Sequence, residues 1–414
     1  MNAERNHLVR WTIPMLVTVC LVSVPVQANY GGGAGEPNDP YLIYTAQQFY
    51  DVGTTPEHWD KNFKLMADID LGRSYAINFR AIGTDPDRPF TGTFDGNGHT
   101  ISTATWILSG ATQDNLGLFG YIGDPSHRAT IKNLGLIDPN IDALTEGTGN
   151  NVGALVGCLF NGTIVNCYVE GGRVLGYRCV GGLVGGPAST RNPVFRVIED
   201  CHAGTRVSGI SEVGGLVGCN DRTTMSRCHV TGSVSGYDRV GGLVGYNLGW
   251  LFGCYSAGRV LGVNCSGGLA GLNDATGEIF NSYCTGRVLG DAYVGGLPGV
   301  NEGLIDQCYS RGSVEGLTDA GGLAGSLHAG VSDRDGTVID SFWDTQASGQ
   351  AASAGGTGKT TAEMQMAKTF LDAGWDFVDE TANGTQDIWW IEEGKDYPRL
   401  WWEAVDDPDS LGVE

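Results

Sequence analysis

Apolar residues and glycines recur along the chain in blocks spaced 26 to 33 residues apart. The unit VGGLVG occurs three times, starting at Val180, Val213 and Val240. Variants of the unit start at residues 152, 266, 294 and 320, and a fainter copy, NLGLFG, starts at residue 115. Self-similarity at such a period indicates a solenoid, in which each repeat buries its apolar face only against its neighbours.

Each repeat also contains a stretch in which small or apolar residues alternate with more variable ones. In CYSAGRVLG, the residues Cys254, Ser256 and Val260 alternate with Tyr255 and Arg259. A period of two over such a stretch predicts a β-strand. Helical repeats are disfavoured, because 66 of 414 residues are Gly and each costs a helix roughly 1 kcal/mol. The pattern predicts an all-β fold, a right-handed parallel β-helix with two or three short strands in each coil.

The repeated unit is interpreted as scaffold. Its leucine is predicted to fill the core of each coil, and its glycines are predicted to adopt positive φ and to approach the next coil closely. The leucines are Leu155, Leu183, Leu216, Leu243, Leu269, Leu297 and Leu323.

GGLVG and its variants resemble the GLUG repeat, named for its glycine-leucine-any-glycine core. PYLIYTAQQF, LMADIDLG and PFTGTFDGNGHTI in residues 40–101 resemble the usual openings of such β-helices, and SFWDTQASGQ and the segments after it resemble their usual ending. The GLUG repeat occurs in secreted and surface-attached bacterial proteins, including adhesins and non-catalytic regions of immunoglobulin-A proteases. The resemblance therefore implies a bacterial surface or secreted β-helix, and it carries no catalytic motif.

The first residues have the features of a cleavable signal peptide. Arg5 and Arg10 precede an apolar run, and a small-residue cleavage site ends at Ala28. We therefore expect export, either into the surroundings or to the cell surface, and no transmembrane segment in the mature chain. The predicted segments are a signal peptide (1–28), an N-terminal cap with the first coils (29–114), a repeat β-helix (115–340), a C-terminal cap (341–402) and an acidic tail (403–414).

The predicted C-terminal cap contains a helix start and most of the tryptophans. Thr360 and Glu363 form a capping-box pattern, from which a helix is predicted to run to about Ala373 and to stop at Gly374. Six of the ten tryptophans lie between Trp343 and Trp402. Tryptophans can stack on sugars, but here they are interpreted as a seal over the open end of the rod.

Cysteines occupy the same place in successive coils, with Ser282 replacing one of them. Stacked neighbours could form disulfides, but a ladder of buried free thiols is the preferred interpretation. Zinc is not predicted, because no C-x-x-C or Cys/His spacing occurs. The cysteines are Cys167, Cys201, Cys228, Cys254 and Cys308.

The formal net charge of −22 repels nucleic acid, which is excluded as a partner. No cofactor is predicted. A weak Ca²⁺ site in SDRDG (332–336) stays open, although the twelve-residue calcium-loop pattern is absent.

One outward stripe of the predicted rod combines rings and guanidiniums, and it is the candidate ligand site. Rings stack on sugars, and Arg binds carboxylate or sulfate, so the stripe suits an acidic polysaccharide. The alternative is a ladder that only stabilises the coils. The ring positions are Tyr168, His202, His229, Tyr255, Tyr283 and Tyr309. The arginine positions are Arg173, Arg206, Arg259 and Arg287.

The predicted function is a non-catalytic surface or extracellular binding protein, with an adhesive or structural role. The alternative is a polysaccharide lyase or hydrolase on the same scaffold, and a spacer bound to another surface protein is a third possibility. Ligand identity, surface attachment and oligomeric state stay open. The carboxylates available to the enzyme are Asp68, Asp70, Asp85, Asp87 and Asp95.

Overall fold

The computed structural model describes residues 30–72, 81–107, 114–144, 148–187, 194–328 and 335–404. Strands of successive coils pair in parallel register, and the antiparallel strand pair lies near the C-terminus, between Trp389–Trp390 and Arg399–Leu400. The predicted parallel β-helix is therefore confirmed, while its hand stays a prediction. The predicted signal peptide and residues 405–414 of the predicted tail lie outside the described residues.

The N-terminal part already has the coil geometry, and it also contains a helix. Helix Ala46–Thr54 begins at Thr45, whose hydroxyl accepts the N–H of Gln48, and a 3₁₀ turn follows at Pro56–His58. Phe49 of this helix is fully buried in the same core as the strands. The strands are Tyr41–Ile43, Asn62–Leu65, Ile69–Asp70, Thr93–Asp95, Thr100–Ser102, Thr105–Ile107, Phe119–Ile122, Ala129–Ile137 and Asn140–Asp142.

One seven-stranded sheet is formed by the residues that open each VGGLVG-type unit. Its strands are Asn150–Gly153, Arg178–Gly181, Ser211–Gly214, Asp238–Gly241, Asn264–Gly267, Ala292–Gly295 and Thr318–Gly321. Each unit's leucine follows at the bend after its strand, and all seven leucines are fully buried, as predicted.

The other repeat strands join one continuous sheet that surrounds the core. They are Val156–Leu159, Gly162–Leu175, Val184–Gly186, Arg196–Glu199, His202–Ser208, Val217–Ser226, His229–Val230, Val234–Ser235, Val244–Phe252, Tyr255–Ser256, Val260–Leu261, Ala270–Asn273, Glu278–Phe280, Tyr283–Cys284, Val288–Leu289, Pro298–Asn301, Leu304–Asp306, Tyr309–Ser310 and Val314–Glu315.

For the repeat glycines, the structure confirms the predicted close approach to the next coil and corrects the predicted positive φ. None of the glycines in the three VGGLVG copies has a positive φ. A Cβ on Gly215 would instead lie 2.2 Å from the carbonyl oxygen of Gly242, and one on Gly218 would lie 2.3 Å from the carbonyl carbon of Cys179. These glycines are needed because neighbouring coils touch through their backbones.

Residues other than glycine make most of the left-handed turns between strands. The first left-handed column directly precedes the Val-Gly or equivalent pair of each repeat unit, with φ from 49° to 56°, and comprises Asn151, Cys179, Glu212, Arg239, Cys265, Tyr293 and Asp319. The second left-handed column precedes the cysteine ladder, with φ from 39° to 59°, and comprises Asn133, Asn166, Asp200, Arg227, Gly253, Asn281, Gln307 and Asp340.

The cysteine ladder lies in the core as free thiols. Each thiol contacts backbone carbonyls, as when the Sγ of Cys201 donates to the oxygen of Glu199 at 3.1 Å. Burial raises the pKa of Cys201, Cys228, Cys254 and Cys308, and it raises that of the neighbouring core residue Cys284 to about 12. The ladder continues through Ser282 and Ser341, whose hydroxyls also donate to backbone carbonyls.

The C-terminal part contains two different coverings of the rod. Trp343 lies on the end of the core, with strands Thr337–Ile339, Phe342–Asp344 and Thr357–Lys359 and helix Thr345–Ser348. The segment from residue 361 to 404, here called the C-terminal segment, packs along one flank instead. Its elements are helices Thr361–Met364 and Ala367–Leu371, strands Trp389–Trp390 and Arg399–Leu400, and the 3₁₀ turn Trp401–Ala404.

For the predicted C-terminal cap, the helix start is confirmed. The single long helix and the position over the open end of the rod are wrong. Thr360 and Glu363 form the predicted capping box. The helix ends at Met364 and a second one starts at Ala367, so a single helix to Ala373 does not form. Most of its tryptophans cover the flank of the rod and not its open end.

Candidate ligand-binding groove

The six predicted ring positions form one continuous stack, here called the ring ladder. Parallel pairing places each ring opposite the next, and neighbouring ring centroids lie 4.7–5.0 Å apart. The planes of the Tyr168 and His202 rings differ by 3°, and those of Tyr283 and Tyr309 by 5°. Because each face is covered by the next ring, the ladder offers ring edges to the solvent. The expectation that these rings stack on sugars therefore does not fit this geometry.

The C-terminal segment buries one end of the ring ladder. Tyr309 is 1% exposed, and its hydroxyl donates to the carbonyl oxygen of Pro398 at 2.6 Å. The hydroxyl of Tyr283 donates to Glu403 at 2.7 Å, and the ring of Trp402 covers Tyr255 with centroids 5.6 Å apart. The predicted ligand stripe is consequently shorter than the sequence indicated, since these tyrosines cannot face a ligand.

The open part of the ladder consists of Tyr168, His202 and His229, which are half-buried. His202 lies 3.4 Å from the carboxylate of Glu170. Burial, with a smaller contribution from His202, lowers the pKa of His229 to about 4. His229 is therefore neutral near pH 7, so it offers one donor and one acceptor at its edge.

The predicted arginines are exposed and aligned across the coils, beside the ring ladder. Arg173 contacts Asn140 and Asp142, and Arg287 binds Glu315 at 2.7 Å. The guanidinium groups of Arg206 and Arg259 have no hydrogen-bonding or ion-pair partner in the described part of the chain. Only two of the four arginines are thus free to bind an anionic ligand.

A groove of about 390 Å³ lies where the open ladder meets the C-terminal segment. His202 and His229 form one wall, and Trp401 and Trp402 form the other. Trp401 is 44% exposed, so its indole offers an uncovered apolar face.

The floor of this groove comes from the second left-handed column. Asn166, Asp200 and Arg227 precede three successive ladder cysteines and line the groove. The guanidinium of Arg227 binds Asp200 at 2.6 Å and Glu199 at 2.8 Å. The hydrogen bonds that Arg227 donates to Asp200 raise the pKa of Arg227, and burial lowers it less. The groove is therefore polar and bordered by aromatic rings.

Sequence reasoning missed the three floor residues, and it interpreted the two groove tryptophans as part of the seal over the end of the rod, with sugar stacking as the alternative. The floor residues could have been found, since they directly precede the ladder cysteines. Trp401 and Trp402 lie more than 170 residues beyond Arg227, and no sequence signal indicated that the chain returns to this flank.

Four of the five N-terminal aspartates that were considered for catalysis serve turns and strand ends. The carboxylate of Asp68 accepts a hydrogen bond from the N–H of Thr100. The carboxylate of Asp70 accepts hydrogen bonds from the N–H of Gly72 and from the hydroxyl of Thr103. These hydrogen bonds lower the pKa of both carboxyls. The pKa of Asp85 is lowered mainly by the hydroxyl of Thr84. In Asp95, hydrogen bonds to Asn133 and Asn97 outweigh the effect of burial, and the pKa is also lowered.

The described parts of the chain contain no helix that is long and apolar enough to cross a membrane. Of the predicted calcium segment, residues 332–334 lie outside the described residues, and Ca²⁺ there stays a prediction.

Comparison with known proteins identifies the repeat. Residues 209–235 match the family model described as the GLUG motif. The protein is therefore a parallel β-helix repeat protein that carries the GLUG motif, as the sequence predicted.

Two relatives share parts of the chain. Halomucin of Haloquadratum walsbyi is 32% identical over 161 residues, which are 37% of this chain and 2% of halomucin. The "Putative Gly-rich membrane protein" of Evansella cellulosilytica is 39% identical over 98 residues, which are 23% of this chain and 10% of that protein. The chain thus spans only a small fraction of either relative.

Among solved structures, the crystal structure of a "putative immunoglobulin A1 protease" from Bacteroides ovatus aligns with this chain. The alignment covers 90% of this chain and 95% of the other, with a TM-score of 0.47 and 18% sequence identity.

Proposed function

We propose that this protein is a non-catalytic binding protein of the cell surface or the extracellular space, and that it binds an acidic polysaccharide. The observation that supports this function best is the groove between the open ring ladder and Trp401. The GLUG motif and the partial similarity to halomucin and to a Gly-rich membrane protein support the location.

The groove's chemistry supports a sugar ligand. The exposed indole of Trp401 offers an apolar face of the kind on which pyranose rings stack. The edges of His202 and His229 and the side chains of the floor offer hydrogen-bonding groups for hydroxyls. The sugar faces would thus meet Trp401, while the ladder meets only their hydroxyl edges.

The acidic character of the ligand is inferred from the arginines. Arg206 lies four residues beyond His202 on strand His202–Ser208, roughly 13 Å away along an extended backbone. Arg206 and Arg259 lack partners among the described residues and suit carboxylates spaced along a polymer. A chain that leaves the groove along this flank would reach both guanidiniums.

The enzymatic alternative has less support. Neither relative's name states an enzymatic activity, whereas the aligned crystal structure is named a protease. A glycosidase needs a carboxyl with a raised pKa as its general acid, and the lowered pKa values of Asp68, Asp70, Asp85 and Asp95 are opposite to that requirement.

The test compares two polymers that differ mainly in charge. The purified full-length chain is passed over immobilised polygalacturonate and over its neutral methyl ester. We expect retention on polygalacturonate and an affinity at least about tenfold lower for Trp401→Ala, corresponding to about 1.4 kcal/mol. Trp250→Ala is the matched control, because Trp250 is 42% exposed and lies outside the groove lining.

Three outcomes would overturn this proposal. They are the absence of retention on polygalacturonate, equal retention on the neutral ester, and equal loss in the two tryptophan variants. Release of new reducing ends from the polymer would support the enzymatic alternative instead.

A further inference from the structure

Two thiols and a carboxylate meet where the seven-stranded sheet borders the larger sheet, and none of the three residues lines the groove. Cys179 and Glu212 belong to the first left-handed column and face each other in adjacent coils, and Cys219 follows at the start of strand Val217–Ser226. One donor atom from each of the three residues lies within 4.8 Å of the other two. The Sγ of Cys179 donates to Oε2 of Glu212 at 2.9 Å.

The space between the two thiols exists because Gly186 has no side chain. A Cβ on Gly186 would lie 3.3 Å from the Cβ of Cys219 and 3.4 Å from the Cβ of Cys179. Both cysteines are half-buried free thiols, so an ion and a water molecule can enter from the surface.

The side chain of Glu212 is only 1% exposed, and its carboxylate is paired with two arginines. The Nε and Nη2 of Arg178 donate to it at 2.8 and 2.9 Å, and the Nη1 of Arg239 donates at 3.0 Å. Metal-binding carboxylates are commonly oriented by such outer hydrogen bonds. The two guanidiniums also offset part of the negative charge that two thiolates and a carboxylate would carry.

We propose that Cys179, Cys219 and Glu212 bind a divalent thiophilic metal ion such as Zn²⁺, with water as the fourth ligand. In tetrahedral coordination, bonds of about 2.3 Å to sulfur and about 2.0–2.2 Å to oxygen place the ligand atoms about 3.5–3.8 Å apart. The observed cluster needs only small side-chain movements to reach this spacing. Binding releases the two thiol protons, and the ion takes the place of the proton between Cys179 and Glu212.

The metal site joins two neighbouring coils, because Cys179 lies in one and Glu212 and Cys219 lie in the next. No sequence motif indicates it, since its residues are separated by 33 and 7 positions. It is independent of the groove, so either proposal can fail alone.

The test uses the full-length chain, purified with its thiols reduced and kept free of oxygen. Titration with Co²⁺ is expected to produce thiolate-to-metal charge-transfer absorption that saturates at one equivalent and is displaced by Zn²⁺. Cys219→Ser is expected to weaken binding at least about 100-fold. Cys265→Ser is the matched control, since Cys265 has the same left-handed backbone position and is absent from the cluster.

A second measurement needs no variant. Zn²⁺ is expected to slow alkylation of Cys179 and Cys219 in the wild-type protein, as followed by mass spectrometry of peptides. Failure of the reduced protein to take up Co²⁺ or Zn²⁺ would overturn the proposal. So would equal weakening in Cys265→Ser, or a disulfide between Cys179 and Cys219 in the protein as isolated.

Discussion

Gly215 lies where two neighbouring coils approach each other through their backbones. Its φ is not in the left-handed region, so conformational freedom does not explain the glycine at this position. The carbonyl oxygen of Gly242 occupies the place where a Cβ would be, 2.2 Å away. The same contact recurs from coil to coil, as for Gly268 and the oxygen of Gly296. Close backbone packing thus explains one glycine of the repeated unit.

We expect Gly215→Ala to destabilise the protein by about 1–3 kcal/mol, because the added methyl group forces the coils apart. The measurement is the urea midpoint of unfolding followed by far-UV circular dichroism. Ser233→Ala, at an exposed position of a nearby strand end, is the control. A Gly215→Ala midpoint equal to that of the control would contradict the steric explanation.

His229 makes stability depend on pH. Its pKa in the folded protein is about 4, whereas an unfolded histidine has a pKa of about 6.5. Below pH 6.5 the unfolded chain therefore binds a proton that the folded protein refuses, and stability falls as the pH falls towards 4. We expect a loss of up to about 3 kcal/mol relative to His229→Tyr, which keeps a ring in the ladder. Parallel stability curves for the two proteins between pH 7 and pH 4 would show this assignment to be wrong.

At the scale of elements, a second buried ladder lies in the sheet that surrounds the core. Asn220, Asn247, Asn273 and Asn301 are fully buried and aligned in successive coils. Each side-chain amide donates to the next one at 2.7 Å. Hydrogen bonds between side chains therefore link coils that are already joined by backbone pairing.

Asn247→Ala is expected to cost about 2–5 kcal/mol, because it leaves the amides of Asn220 and Asn273 each without one partner in a dry core. Thermal and urea unfolding of the variant would measure this. Asn264→Ala is a useful comparison, since Asn264 bonds to Asp238 in a less buried position. If both variants lose the same stability, burial of the ladder has no special effect.

At the scale of the whole molecule, each coil packs mainly against its neighbours, while the C-terminal segment spans several coils. Trp389 is fully buried, lies 4.7 Å from Trp375, and donates its indole N–H to Asn281 at 3.1 Å. Solenoids lose cooperativity between distant parts, so the rod and this segment are expected to unfold separately.

Tryptophan fluorescence and far-UV circular dichroism are therefore expected to give different urea midpoints. Fluorescence reports mainly the C-terminal segment, and circular dichroism reports mainly the rod. Trp389→Ala should lower the fluorescence midpoint and leave the circular-dichroism midpoint close to the wild-type value, while Trp250→Ala should change neither. Coincident midpoints in the wild type would mean that the molecule unfolds as one unit.

The sequence by itself determined the repeat, the parallel β-helix, the buried leucines and the alignment of rings and arginines. These follow from period and alternation, because identical units that stack must place identical residues in line. Tertiary structure alone decided what covers the ladder and which residues meet across coils. Trp401 returns to the flank near His202, and Glu212 meets Cys179 and Cys219, through packing of segments from different coils. Local patterns carry no information about such contacts, since each depends on how the chain closes around its core.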